Sequence, residues 1–331
     1  MKPAKSVGSV LVAGLLMLTA ACGGSDDGTA AGATGSASGS AGETTTLKMA
    51  ETPGSPVGFV SYGVQRGHFE DEGIDLQVTP NPGGGTATVP ALLQGDFDVM
   101  GLDLVSALTT IGAGLPLRMV SAGSATSEDA DGDFSAVLVK ADSPIQGPED
   151  LDGVKLGVNA LLNVNELYIQ STLEEQGKPA SAISPIELPF PDILAAIGRG
   201  DVDAGIVIEP FATIGQSQGL RVVDRPWHAV EPGAQIGTMV MTEQKVNEDP
   251  DVAERFARAV QATADDVRDD PASFRAALPE LIDLDPALAE EINLIQWRGA
   301  TDKESVENTG NLMTKYGLLD ADIDYDEIIV G

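Results

Sequence analysis

The feature that most constrains this chain is a segment that occurs twice. "LLQGDFDVMGLD" spans 92–103 and "AIGRGDVDAGIVIEP" spans 196–210. In each, a stretch with helical spacing stops on Gly-Asp, a second Asp follows after one residue, and a small apolar run begins. A helix that ends on glycine and passes at once into a buried apolar run is the αβ half of a βαβ unit. Two well-separated copies predict two such units, hence an α/β fold built on mostly parallel sheets.

The flanking patterns agree. Apolar runs predict strands at 47–51, 74–80, 97–102 and 116–123, with helices at 60–69 and 103–114 and a loop plus short helix at 83–95. A long strand at 134–141 follows a polar, acidic loop. The pattern then restarts, with strands at 155–160, 184–190, 202–209 and 220–224 and helices at 163–177, 191–200 and 210–219. After another long strand at 236–243 the chain turns helical, at 249–270, 271–282, 285–296 and 302–317, with acids in the first turns as the helix dipole favours. The economical architecture is two Rossmann-like α/β lobes with a cleft between them. Lobe 1 takes 47–137 plus 238–331, including the C-terminal helices, and lobe 2 is inserted as 138–237. The long strands at 134–141 and 236–243 act as hinge strands where the chain crosses.

The repeated acids invite a catalytic or metal reading, and topology argues against it. In a parallel α/β sheet the helix-to-strand turns lie at the edge opposite the ligand-binding edge. Asp96, Asp98, Asp201 and Asp203 therefore read as turn and strand-start residues. Counting forward one strand from each pair reaches Asp103, with Leu104, and Glu209. The same rule places Ser55 and Pro56, Gly85 and Thr86 of the "GGGT" loop that starts at Gly83, Asn159, Asn163, Phe190 and Phe211 at the cleft edge. Several of these open helices. Asn163 with Glu166 makes a capping-box pattern, Pro191 suits a first helical position, and helix N-termini attract anions. Phe190 and Phe211 offer a flat apolar face.

The N-terminus carries its own signal. Lys2 and Lys5 precede an apolar run at 7–18 too short to span a bilayer comfortably, and "TAAC" ends at Cys22, the only cysteine. Residues 1–22 read as a lipoprotein signal whose Cys22 is lipidated. Residues 23–46, rich in Gly, Ala, Ser and Thr, read as a flexible tether reaching about 25–30 Å. The predicted location is the outer face of a bacterial cell membrane. A net charge of −32 makes nucleic acid and acidic membrane surfaces poor partners.

A family resemblance spans nearly the whole mature chain. "GVQRGHFEDEGIDLQVTPNPGGGTATVPALLQGDFDVMGLD" is similar to the first lobe of extracytoplasmic substrate-binding proteins of ABC importers, in the nitrate, sulfonate, taurine and thiamine-precursor group. "SPIQGPEDLDGVKLGVNALLNVNELYIQSTLEEQG" resembles the start of their second lobe, and "LPFPDILAAIGRGDVDAGIVIEPF" its centre. The resemblance implies a type II periplasmic-binding-protein fold, hinge closure on a small-molecule ligand, and docking of the loaded monomer on a membrane permease driven by an ATPase. It implies no cofactor and no metal.

Three other readings were weighed. Enzymatic relatives of the fold rely on clustered His and Cys, whereas this chain has only His68 and His228 beside Cys22. The acidic loops at 128–134 and 320–327 lack the Gly and Glu spacing of a calcium loop and read as solvated. A sensory lipoprotein that binds without transport is the third. For the ligand, the helix N-termini favour an oxyanion such as a sulfonate, while Asp103 and Glu209 favour an amine or ring N–H. The expectation is an anionic or zwitterionic organic nutrient such as a sulfonate or aminosulfonate, with an aminopyrimidine or other nitrogen heterocycle as the alternative.

Overall fold

Runs rich in Val, Ile, Leu and Met alternate with glycine-terminated helices, and the strands form where those runs stand. The computed structural model describes residues 44–81, 84–179 and 183–330. The signal segment with Cys22, the tether through residue 43 and Gly83 lie outside the described residues. In chain order the strands are β1 (Thr45–Glu51), β2 (Ile74–Pro80), β3 (Val99–Asp103), β4 (Leu117–Ala122), β5 (Ser124–Ala125), β6 (Ser135–Lys140), β7 (Lys155–Val158), β8 (Ser184–Glu187), β9 (Ala204–Ile208), β10 (Leu220–Asp224), β11 (Gly237–Thr242) and β12 (Gln296–Trp297).

Two five-stranded sheets share one order. The first runs β2-β1-β3-β11-β4 and the second β8-β7-β9-β6-β10. In each, the first three strands are parallel. The fourth is antiparallel to both neighbours. That antiparallel strand is the one the chain enters on arriving from the other sheet: β6 follows the passage 126–134, and β11 follows 225–236. The two passages are zipped together. Thr126 N donates to Ala234 O at 2.9 Å, Ile236 N to Ser124 O at 2.8 Å, and Thr126 Oγ1 to Glu231 O at 2.8 Å. His228 Nδ1 lies 2.8 Å from Ser127 O.

The acidic loop 128–134 is only partly the solvated loop its composition suggests. Asp133 is fully buried. Its carboxylate accepts from Phe134 N, Ser135 Oγ and His228 N, and Arg225 donates to the carbonyls of Asp133 and Ser135. Burial raises the Asp133 pKa against those bonds. A charge removed from water needs such donors, and here they fasten one passage to the other.

One apolar cluster runs through both sheets, joining Met100, Leu102 and Leu104 of the first to Val137, Ile206 and Val207 of the second. A second cluster lies on the other face of the first sheet, where Leu47, Met49 and Val99 meet Phe256 and Val260 of the helix Pro250–Asp269 and Phe274 and Leu278 of the helix Pro271–Ile282. The C-terminal helices thus cover the first sheet. His68 joins them by its Nε2, 2.9 Å from Asp266.

The repeated aspartates do matching jobs. Gly95 and Gly200 adopt left-handed backbone, φ 79° and 80°, and close the helices before them. Asp98 N donates to Lys48 O while its carboxylate accepts Lys48 N at 2.9 Å; Asp203 N donates to Lys155 O while its carboxylate accepts Lys155 N at 2.8 Å. Asp203 pins the start of β7 and Asp98 the middle of β1, so the second aspartate of each pair is the turn and strand chemistry that topology assigned it. Asp203→Ala is expected to cost about 1 kcal/mol in urea unfolding and to leave ligand affinity unchanged. Lost affinity in the folded variant would overturn that assignment.

Three element boundaries differ from the sequence expectation. The first helix begins at Ser55, not at 60, because Pro56 falls in its first turn, where no N–H is missed. The helix expected over 285–296 stops at Ala289, and the chain then extends into β12. A short helix, Pro226–Val230, lies between the strands expected at 220–224 and 236–243, where the sequence predicts no helix.

Candidate functional site

The C-terminal ends of the parallel strands in the two sheets face each other, and a cleft lies between them. The first sheet contributes Glu51 and Thr52 after β1, and Gly101, Leu102 and Asp103 of β3. The second contributes Asn159, Asn163, Val164 and Asn165 after β7, Phe190 after β8, and Ile208 of β9. Phe134 and Trp227 come from the two passages, and Trp297 from β12. A second space shares Thr52, Asn159 and Phe190 with the first and is walled by Pro189, Pro191 and Phe211.

Aromatic packing fixes this wall. Trp297 stacks on Phe59 at 4.1 Å between ring centres. Phe134 meets Trp227 edge-on at 5.1 Å, and Phe190 stacks on Phe211 at 5.3 Å. Trp227 Nε1, Trp297 Nε1 and Asn165 Oδ1 are buried and have no hydrogen-bond partner among the described residues. Buried polar atoms are nearly always paired, and these three belong to residues that line one wall.

The lobes touch around this space. Ser55 N donates to Glu209 O at 3.4 Å. Gly84 and Gly85, both with positive φ, lie so close to Asn159 and Ala160 that an added Cβ would come within 2.9 and 3.0 Å of them. Asp103 crosses the gap. Its Oδ1 accepts Ser106 N at 3.0 Å, capping the helix Leu104–Gly112, and Val164 N at 3.2 Å, at the start of the helix Val164–Glu175. Its Oδ2 accepts Ser106 Oγ at 2.6 Å. Burial raises the Asp103 pKa, and these bonds oppose the shift. Asn163 caps the same second-lobe helix through Asn165 N, and Glu166 reaches back to Leu162 N, one residue earlier than a standard capping box.

Of the residues the sequence proposed, Pro56, Gly85, Asp103, Asn159, Asn163 and Phe190 line the main space, and Phe211 lines the adjoining one. Ser55 is buried at the helix start beside Glu209, off the wall. Thr86 is exposed. Leu104 is core. Glu209 is also off the wall: its carboxylate is buried and accepts Thr213 N, Thr213 Oγ1 and Asn293 N. Sequence reasoning passed over Glu51, Thr52, Phe134, Trp227 and Trp297. Glu51 was findable, because it ends β1 as Asp103 ends β3. The two tryptophans were not, since only long-range folding brings 227 and 297 to the cleft.

Glu51 is a strongly perturbed acid on the wall. It is 6% exposed, its Oε1 accepts Thr52 N at 2.6 Å, and burial pushes its pKa up to about 7 against the Thr52 hydrogen bonds. No Arg, Lys or His lines either space among the described residues.

Residues 57–273 match the family described as NMT1/THI5 like. The chain belongs to that family. No curated protein sequence matches it. Among solved structures this NMT1/THI5-like chain is similar to the periplasmic aliphatic sulphonate-binding protein SsuA of Escherichia coli (TM-score 0.68, 17% identity, 86% of this chain and 97% of that one). It is also similar to the alkanesulfonate-binding SsuA of Xanthomonas axonopodis pv. citri bound to MOPS (0.72, 18%, 87% and 98%). A third is the ligand-binding component of an ABC-type import system from Staphylococcus aureus with zinc bound (0.72, 13%, 86% and 96%). At these identities the likeness is one of fold, and the NMT1/THI5-like chain has the two-lobed periplasmic-binding-protein fold.

Proposed function

We propose that this protein is an extracytoplasmic solute-binding protein, anchored through Cys22, that closes on a small organic molecule and delivers it to an ABC permease with its ATPase. The ligand presents N–H donors or a cationic nitrogen, as an amine or nitrogen heterocycle does. The observation that carries the ligand class is the polarity of the wall: two carboxylates and no basic side chain; the orphaned indole N–H donors of Trp227 and Trp297 call in addition for an acceptor atom on the same molecule. Two of the helix N-termini that could bind an oxyanion already have acceptors, since Val164 N meets Asp103 and Ser55 N meets Glu209 O. A carboxylate beside a helix N-terminus repels a second anion.

The solved sulfonate-binding structures of the same fold favour a second reading, an aminosulfonate whose ammonium faces the acids. A thermal-shift screen separates the two. Nitrogen heterocycles and amines are expected to raise the melting temperature, since a ligand at 100 times its Kd adds about 2.7 kcal/mol. Stabilisation by butanesulfonate and taurine, with none by amines or heterocycles, would replace the first reading with the second.

A further inference from the structure

We propose that Glu51, seated over Gly101, is the residue that selects the ligand's cationic nitrogen, and that the group it takes is a planar N–H-bearing cation of the amidinium type. The inference rests on the amine reading above and goes further, in naming one of the two acids and the shape of the group it holds.

The two carboxylates on the wall differ in how much acceptor capacity remains. A carboxylate offers about four acceptor positions. Asp103 receives three hydrogen bonds and ties two helix starts together. Glu51 receives hydrogen bonds only from its neighbour Thr52, and no cation pairs with it among the described residues. Its Oε2 is therefore the open acceptor of the site.

Gly101 makes the seat. A Cβ at 101 would stand 2.0 Å from Glu51 Oε2 and 2.3 Å from its carboxyl carbon. The carboxylate thus lies flat against the backbone of β3, and only glycine permits it. Glu51 stands at the end of β1, one strand from β3, so two adjacent strands hold the acid in place. Oε2 together with the remaining acceptor position of Oε1 can take the two parallel N–H bonds of an amidinium or guanidinium. The aromatic residues Phe134, Trp227 and Trp297 on the same wall suit a flat ring. Burial, which lifts the Glu51 pKa, fits an acid whose countercharge arrives with the ligand.

The test uses benzamidine and its neutral isostere benzamide, titrated by calorimetry at pH 8 into the purified protein and into Glu51→Gln. The parent is expected to prefer benzamidine by about tenfold or more, and Glu51→Gln to erase that preference by weakening benzamidine alone. Gly101→Ala keeps the acid but evicts it from its seat, and is expected to erase the preference too. A preference that survives in Glu51→Gln would overturn the assignment to Glu51 while sparing the amine reading. No preference in the parent, or no binding of benzamidine up to about 10 mM, would overturn the proposal. Amines and heterocycles failing as well, with sulfonates binding, would remove the amine reading beneath it.

Discussion

Glu51→Gln is expected to stabilise the unliganded protein by about 3 kcal/mol at pH 8 and to change its stability little at pH 4. The sign follows from the direction of the shift. Burial raises the Glu51 pKa from its ordinary 4.5 to about 7 in the folded chain, so between those values the native state holds a proton that the unfolded state has released. Stability from this group is then greatest below pH 4.5, falls as pH rises to 7, and stays low above. Glutamine keeps the oxygen that accepts Thr52 N and has no charge to bury. Asp224, raised by burial to about 6, and Asp103, Asp133 and Glu209, also raised, titrate in both variants and cancel in the difference. Urea unfolding of the pair at pH 4 and pH 8 measures it; an equal difference at both would show that Glu51 ionises normally. A side chain that costs the free protein this much has its use when the cleft is filled, since a cationic ligand group removes the penalty. That is the physical link between the stability measurement and the binding proposal.

How much of this was legible beforehand depended on the range of the interaction. The Gly-Asp repeat is local: glycine closes a helix, and aspartate pins the next strand through its neighbour's N–H. Both halves of the fold follow from it, including the side of the sheet on which the cleft lies. Counting forward to the strand ends reached Asp103, Asn159, Asn163 and Phe190, because parallel strands all point their C-terminal ends the same way. The same counting reached Glu209 and could not say which way its side chain turns. Asp103 has a short arm, caps its own helix and still faces the gap, whereas the longer Glu209 folds back onto Thr213. Trp297 lay beyond any local rule, in a segment whose apolar spacing looked helical but which extends to pair with β5.

Glu209→Ala is expected to lower stability by about 3 kcal/mol, more than the loss of any ligand contact would predict, because it strands donors rather than a cleft-facing charge. The Glu209 carboxylate is 1% exposed. It accepts Thr213 N at 3.1 Å and Thr213 Oγ1 at 3.0 Å, opening the helix Phe211–Ser217, and Asn293 N at 3.3 Å. Asn293 in turn donates from its side chain to the carbonyls of Asp131 and Asp133 in the first passage between the sheets. One carboxylate therefore joins the second sheet, the C-terminal segment and the hinge region, and its own carbonyl meets Ser55 N of the first lobe. Glu209→Gln retains an acceptor of the same shape and is expected to lose less than about 1.5 kcal/mol. Its affinity for whichever compound the thermal screen selects should stay within about threefold of the parent. If Glu209→Gln folds with parental stability yet no longer binds, the carboxylate faces ligand and the direct contact expected from the sequence is correct. If Glu209→Ala is as stable as the parent, the network described does not hold the lobes. The contrast with Glu51 is in the partners: removing an acid that three donors need destabilises, and neutralising one that has almost none stabilises. Two buried acids at strand ends of the two sheets are thus expected to move stability in opposite directions.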